Sequence, residues 1–133
     1  MRSISLISTV GLGVLFIFSM AGPGHTLCLA AKDLNGVWRA NDGGTYYIRQ
    51  DGNDVRWLGM SKNNGATFTN VFKGVKNGAT IVGEWFDVPK GRMRSSGVLH
   101  LSIQGSTTVL GFTRTHATGG FGGSQWWQLS TPE

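Results

Sequence analysis

After residue 31 the chain is a succession of short apolar and aromatic runs separated by turn signals, and this pattern constrains the fold more than any other feature. The runs are rich in β-branched and aromatic residues, which favour strands. None of them shows the 3.6-residue apolar period of an amphipathic helix. We therefore predict eight strands, at residues 36–40, 45–50, 55–60, 67–75, 80–86, 98–103, 107–114 and 124–129.

The connections between these predicted strands are short, and short connections force neighbouring strands to run antiparallel. An open sheet of eight strands would leave two edges exposed, whereas closure removes both. Glycines within four strands also favour closure, because they let a strand bend; these are Gly59, Gly74, Gly83 and Gly111. The predicted fold is an all-β, eight-stranded, antiparallel up-and-down barrel, and a two-sheet sandwich is the alternative.

Two dipeptides that favour two-residue hairpin turns lie between predicted strands, Asp42-Gly43 and Asn77-Gly78. A glycine-rich loop at residues 119–123 carries a single aromatic residue, Phe121. Two interpretations of this loop stay open. Either Phe121 covers a mouth of the barrel, or the glycines serve turning geometry alone.

Residues 1–30 have the pattern of a secretory signal peptide. Arg2 supplies a positive charge, an apolar stretch follows at 4–20, and cleavage sites fall at residues 19–21 and 28–30. Cleavage after residue 30 removes the single cysteine, Cys28, and leaves one domain at 31–133. We expect a secreted or periplasmic protein without stable membrane insertion after cleavage. A retained anchor is the alternative, because the apolar stretch approaches the minimum length of a membrane span.

Composition and motifs argue against several function classes. The net charge is +5, but the basic residues are scattered apart from one cluster at residues 90–94, so no nucleic-acid partner is predicted. His100 and His116 have no cysteine or clustered carboxylates nearby, which argues against a metal site. Nucleophile-elbow and phosphate-loop motifs are missing from the sequence. We predict no catalytic residues, no metal and no cofactor.

Several segments resemble the avidin and streptavidin group of small calycin barrels. The resemblance is carried by Gly-Val-Trp at 36–38 with Asn41-Asp42 and Gly44, Gly-Glu-Trp at 83–85, Ser-Thr-Thr-Val at 106–109 and Trp-Trp at 126–127. In this order the segments cover most of residues 34–129. The chain also resembles small exported bacterial domains that share the runs Gly-Thr-Tyr-Tyr-Ile-Arg-Gln, here 44–50, and Trp-x-Asp-Val-Pro, here 85–89.

The resemblance to avidins implies a ligand pocket at one barrel mouth, lined by tryptophans and small hydroxyls. The candidate ligand-binding residues are Trp85, Trp126, Asn41, Trp38 and Thr108. Ala40 stands where the family has an asparagine that binds the ureido group, and Gly44 stands where it has a binding serine. A buried polar group left without its partner costs about 1–3 kcal/mol, so biotin is not the expected ligand.

We therefore expect an exported, non-catalytic barrel that binds a small, partly apolar molecule, as a monomer or a homo-oligomer. A barrel interior filled by its own side chains would argue against this function. The alternative is a surface module that binds glycan or protein through exposed aromatic side chains, with Trp57 and Trp127 as candidates. An enzyme of unknown class is a third alternative.

Overall fold

The computed structural model describes residues 33–105 and 110–130, which form a closed antiparallel barrel. Each strand pairs with the next along the chain, and the first pairs with the last. The strands are β1 (Gly36–Ala40), β2 (Thr45–Asp51), β3 (Asp54–Met60), β4 (Thr69–Asn77), β5 (Thr80–Asp87), β6 (Ser96–Gly105), β7 (Leu110–Ala117) and β8 (Gln125–Ser130). The predicted up-and-down barrel is confirmed, and the alternative of a sandwich is wrong.

Strand β4 begins two residues later than the sequence predicts. The backbone amides of Thr67 and Phe68 both donate to the side-chain hydroxyl of Ser61, each at 3.2 Å. These amides stabilise the connection between β3 and β4 and are not available to a strand ladder.

The predicted two-residue hairpin at Asp42-Gly43 is wrong, because the connection between β1 and β2 spans residues 41–44. Gly43 adopts a left-handed φ of 82° and donates its backbone N–H to the carbonyl of Ala40 at 3.0 Å. The carboxylate of Asp42 accepts a hydrogen bond from the backbone N–H of Gly44 at 2.8 Å. Asp42 therefore organises a longer loop, and its side chain lies at the rim of the barrel.

The two ends of the barrel differ in the length of their connections. At the end that we call the turn end, β2–β3 and β4–β5 are each joined by two residues, since Asp51 pairs with Asp54 and Asn77 with Thr80. The opposite end is called the loop end. Its connections are residues 41–44, 61–68, 88–95 and 118–124.

Aromatic rings from alternating strand positions fill the interior. Trp38 stacks on Phe112 with ring centroids 4.2 Å apart, and Trp57 stacks on Phe72 at 4.4 Å. Trp126 lies between these pairs, 5.7 Å from Trp57 and 6.4 Å from Phe112. All five side chains are buried. Eight strands enclose just enough space for such a core, and the interior is packed.

The segment before β1 closes the turn end. Leu34 is fully buried, and its carbonyl accepts a hydrogen bond from Nε1 of Trp38 at 2.9 Å. The side chain of Gln50 accepts from the backbone N–H of Leu34 at 3.1 Å, and Gln128 donates to the carbonyl of Asp33 at 3.0 Å. We therefore look for a binding site at the loop end.

Some predictions concern residues outside the described ranges. They are the signal peptide at 1–30 with its cleavage sites, and Thr108. In the part of the chain that the structure describes, no helix is long and apolar enough to cross a membrane.

The glycine at position 59 allows the ring of Tyr46 to lie directly over β3. A Cβ atom at Gly59 would lie 2.6 Å from Cδ2 of Tyr46 and 2.7 Å from Oδ1 of Asn70. Both partners are buried, so neither can move aside freely.

We predict that Gly59→Ala lowers the free energy of unfolding by about 1–3 kcal/mol, because the added methyl group overpacks the core. The measurement is urea denaturation followed by tryptophan fluorescence. Gly122→Ala is the matched control, since its Cβ would meet no heavy atom within 4 Å. Equal stabilities of the two variants would contradict the packing described here.

Candidate functional site

A cavity of about 140 Å³ opens at the loop end, and all four loops of this end contribute to its lining. Its apolar wall consists of Phe68, Trp85, Met93 and Phe121. Its polar lining side chains are Asp42, Thr67, Asn70, Asp87 and Ser95. A cavity of about 150 Å³ in a protein interior can hold benzene, so this one has room for a small molecule or for one group of a larger one.

Phe121 forms the floor between this cavity and the packed interior. Its side chain is only 7% exposed, and its ring lies 4.9 Å from that of Trp85 in an edge-to-face arrangement. On the inner side it lies 5.9 Å from the ring of Trp126. Of the two interpretations that the sequence left open, the structure confirms that Phe121 covers the mouth.

Hydrogen bonds from neighbouring elements hold the loop that carries Phe121. Arg114 on β7 donates from Nη1 to the carbonyls of Phe121 at 2.7 Å and of Gly123 at 2.9 Å. The hydroxyl of Ser95 donates to the carbonyl of Gly119 at 2.6 Å. These bonds fix the backbone on both sides of Phe121, so the floor of the cavity is built into the fold.

Polar side chains connect the rim of the cavity to the core. The hydroxyl of Tyr46 donates to Oδ2 of Asp42 at 2.6 Å. Nε1 of Trp57 donates to Oδ1 of Asn70 at 2.9 Å. Burial, followed by the negative charge of Asp42, raises the pKa of Tyr46 far above its ordinary value. Tyr46 is therefore held as a neutral hydrogen-bond donor.

Asp87 ends β5 and also lines the cavity. Its Oδ2 accepts a hydrogen bond from the backbone N–H of Ser95 at 2.8 Å, and its own N–H donates to the carbonyl of Ser95 at 2.8 Å. Within residues 33–105 and 110–130 no hydrogen bond reaches its Oδ1. One carboxylate oxygen of Asp87 therefore accepts no hydrogen bond from the described residues and can accept one from a ligand.

The predicted ligand-binding residues lie in different places. Trp85 lines the cavity, and its Nε1 donates to the carbonyl of Thr118 at 3.0 Å. Trp126 lies below Phe121, and Trp38 is buried near the turn end. Asn41 is exposed and joins the loop after β1 to the loop before β8, since its amide donates to the hydroxyl of Ser124 at 2.7 Å and accepts from the Ser124 N–H at 2.9 Å.

The indole N–H of Trp126 is buried and has no hydrogen-bond partner among the described residues. The rings of Tyr46, Trp57 and Phe121 surround it at centroid distances of 5.7–5.9 Å. A buried donor left unpaired costs about 1–3 kcal/mol. This indole is a polar group below the cavity floor whose hydrogen bond the fold does not use.

Sequence reasoning missed most of the cavity lining. Asn70 and Asp87 lie near the start of β4 and at the end of β5, and Asp42 lies in the loop between β1 and β2, so all three belong to the loop end. Polar residues at strand ends beside long loops are the signal that could have found them.

Two adjacent aromatic pairs divide between the two faces of the barrel wall, as predicted from strand alternation. Tyr46 and Trp126 point inward, whereas Tyr47 and Trp127 are exposed. The expectation that Trp57 is an exposed binding residue is wrong, because its position on the inward face of β3 leaves it only 4% exposed.

Two of the three histidines of the sequence, His100 and His116, lie next to each other on β6 and β7. His100 pairs with His116 across these strands, with ring centroids 5.0 Å apart. In the described ranges no group of three or more histidine, cysteine or acidic residues is arranged to hold a metal ion.

No family model, curated protein or solved structure matches this chain. The resemblance to avidins and to small exported domains therefore stays a prediction, and function is argued from the cavity.

We predict that wild-type stability falls as the pH rises above about 10, because Tyr46 is neutral when folded but ionises at its ordinary value of 10.0 when unfolded. Relative to Tyr46→Phe, the free energy of unfolding should decline by about 1.4 kcal/mol per pH unit above that point. The measurement is urea denaturation of both proteins at pH values between 8 and 11, in steps on the order of half a pH unit. Parallel pH profiles would contradict the buried, neutral state of Tyr46.

Proposed function

We propose that the protein is an exported, non-catalytic barrel that binds a small, partly apolar molecule at its loop end. The observation that carries this proposal is the cavity bounded by Phe68, Trp85 and Phe121 and by two aspartates. Concave sites with apolar walls and a few convergent polar groups are the usual form of small-molecule sites.

The ligand binds at the mouth, because aromatic packing occupies the space below it. Trp57 is in contact with both Phe72 and Trp126 inside the sheet, and Phe121 separates them from the cavity. A filled interior is the result that we expected to argue against this function, and it does exclude a ligand deep inside the barrel. It leaves the shallow space above Phe121 as the binding site.

The hydrogen bonds of the lining favour recognition over catalysis. Ser95 donates its hydroxyl proton to a backbone carbonyl, which is not a base, and Tyr46, which donates to Asp42, is fully buried and outside the cavity lining. A nucleophile needs a neighbouring base that accepts its proton. These hydroxyls instead hold loops and strands in place, which supports a rigid, preformed pocket.

Ligand-observed NMR with a mixture of neutral and charged fragments of about the size of benzene tests the proposal. Gly122→Phe is the blocking variant, since Gly122 lines the cavity and a Cβ there meets no neighbour within 4 Å. Fragments should bind the wild type and lose about tenfold or more in affinity for Gly122→Phe, which occludes the site. Unchanged binding to this variant, or none to the wild type, would contradict the proposal.

An apolar row on the outside of the barrel favours a second candidate function, a surface module for protein or glycan. Cross-strand pairing aligns five outward side chains, which we call the outer row: Val37, Tyr47, Leu58, Val71 and Phe86. Tyr47 is 50% exposed and Phe86 is 41% exposed. Contiguous exposed apolar surface marks interaction sites, including those between copies of one chain.

Phe86→Ala distinguishes the two candidates, because Phe86 follows Trp85 on β5 but faces outward. Under the first proposal this variant binds the fragments as the wild type does. Fragment binding that is lost in Phe86→Ala and retained in Gly122→Phe would favour the outer row.

A further inference from the structure

We infer that the cavity at the loop end selects organic cations, that is, small molecules in which an ammonium group is joined to a short apolar body. This inference rests on the proposed function and names its ligand class. It follows from the charge, the hydrogen-bonding character and the aromatic walls of the cavity.

The charge of the cavity opposes that of the chain. The sequence has 12 basic against 7 acidic residues, yet the lining contains two carboxylates, of Asp42 and Asp87, and no lysine, arginine or histidine. Lys62, Lys90, Arg92 and Arg94 lie on loops of the same end but are exposed and outside the lining, and Arg114 is held by the carbonyls of Phe121 and Gly123 and is also outside it. A cavity of this composition attracts cations and repels anions.

The two carboxylates are not neutralised by neighbouring side chains. Asp42 accepts from the Gly44 amide and from the Tyr46 hydroxyl, and Asp87 accepts from the Ser95 amide. All of these donors are uncharged, and neither carboxylate forms an ion pair within residues 33–105 and 110–130. The counter-charge for the two aspartates can therefore come from a bound ligand.

The polar lining offers acceptors and few donors. Among the lining side chains, Ser95 gives its hydroxyl proton to the carbonyl of Gly119, and the Trp85 indole gives its proton to the carbonyl of Thr118. The Thr67 hydroxyl and the Asn70 amide are left to donate, so a carboxylate or a phosphate would meet few donors beside two negative charges. An ammonium group would meet the unused oxygen of Asp87.

The walls and the size of the cavity fit a cation with an apolar surface. Trp85 and Phe121 stand edge to face at 4.9 Å, and Phe68 lines another part of the wall. Aromatic faces attract cations, and groups of such rings recognise quaternary ammonium ions. The volume of about 140 Å³ admits a trimethylammonium group with a short chain.

Isothermal titration of choline against 3,3-dimethylbutan-1-ol tests the inference, because the two have the same shape and differ only in the charged nitrogen. We expect choline to bind the wild type about tenfold or more tightly at low ionic strength, since the uncharged analogue gains neither carboxylate nor cation–π attraction. In Asp42→Asn/Asp87→Asn this preference should fall to about threefold or less.

Two further variants control the experiment. Asp87→Asn alone keeps an oxygen to accept from the Ser95 amide and leaves the Asp42–Tyr46 bond intact, so it serves if the double variant does not fold. Its choline preference should lie between those of the wild type and the double variant. Glu84→Gln removes an exposed carboxylate from β5 outside the cavity and should leave the preference unchanged.

Equal affinity for the two compounds in the wild type would overturn the cation inference while supporting the proposed function, since both would then bind. A choline preference that survives in both aspartate variants would also overturn it. If neither compound binds, the inference is wrong, and the fragment experiment with Gly122→Phe decides separately whether the proposed function fails as well.

Discussion

The packing of aromatic rings inside the closed sheet is the interaction on which the rest of the structure depends. Trp57 is its centre, stacked on Phe72 and in contact with Tyr46 and Trp126. Rings of this size fit inside eight strands only where a facing position is small, and Gly59 provides such a position beneath Tyr46. The barrel is therefore a filled core, and its surface chemistry is confined to the ends and the outer wall.

The same packing determines where polar side chains must lie. Buried tyrosine and tryptophan need partners for their hydroxyl and indole protons. Asp42 and Asn70 supply these partners for Tyr46 and Trp57 at the boundary between core and cavity. The residues that accept hydrogen bonds from buried core side chains thus also belong to the polar part of the cavity lining. This links the proposed binding site to the stability of the fold.

Strand order, closure and the facing of adjacent residues were predictable from the sequence, because they follow from alternation and short connections that repeat along the chain. The inward direction of Trp126 relative to Trp127 is one such case. The cavity was not predictable, because it depends on contacts between distant segments. Phe121 becomes its floor only when Ser95 holds the carbonyl of Gly119 before it and Arg114 holds the carbonyls of Phe121 and Gly123.

The positions of the candidate ligand-binding residues, which were taken from the resemblance to avidins, were not predictable for the same reason. Trp38 and Asn41 were chosen by their place at the opening strand, but each has a structural partner: the Trp38 indole donates to the carbonyl of Leu34, and the Asn41 amide donates to the hydroxyl of Ser124, just before β8. Trp85 reached the cavity because its strand ends among the long loops. Local sequence patterns determine which side chains face the inside or the outside of the barrel. The site is determined by the way in which the loops fold over the loop end.

The most direct test of the filled interior is hydrogen exchange of the five indole N–H groups in a ¹⁵N-labelled sample, assigned with single Trp→Phe variants. If rings fill the barrel, the indoles of Trp38, Trp57, Trp85 and Trp126 exchange slowly after transfer to D₂O. Trp127, on the outer wall, exchanges at once. Rapid exchange at Trp57 or Trp126 would show that water enters the interior, and it would contradict the account of a binding site confined to the mouth.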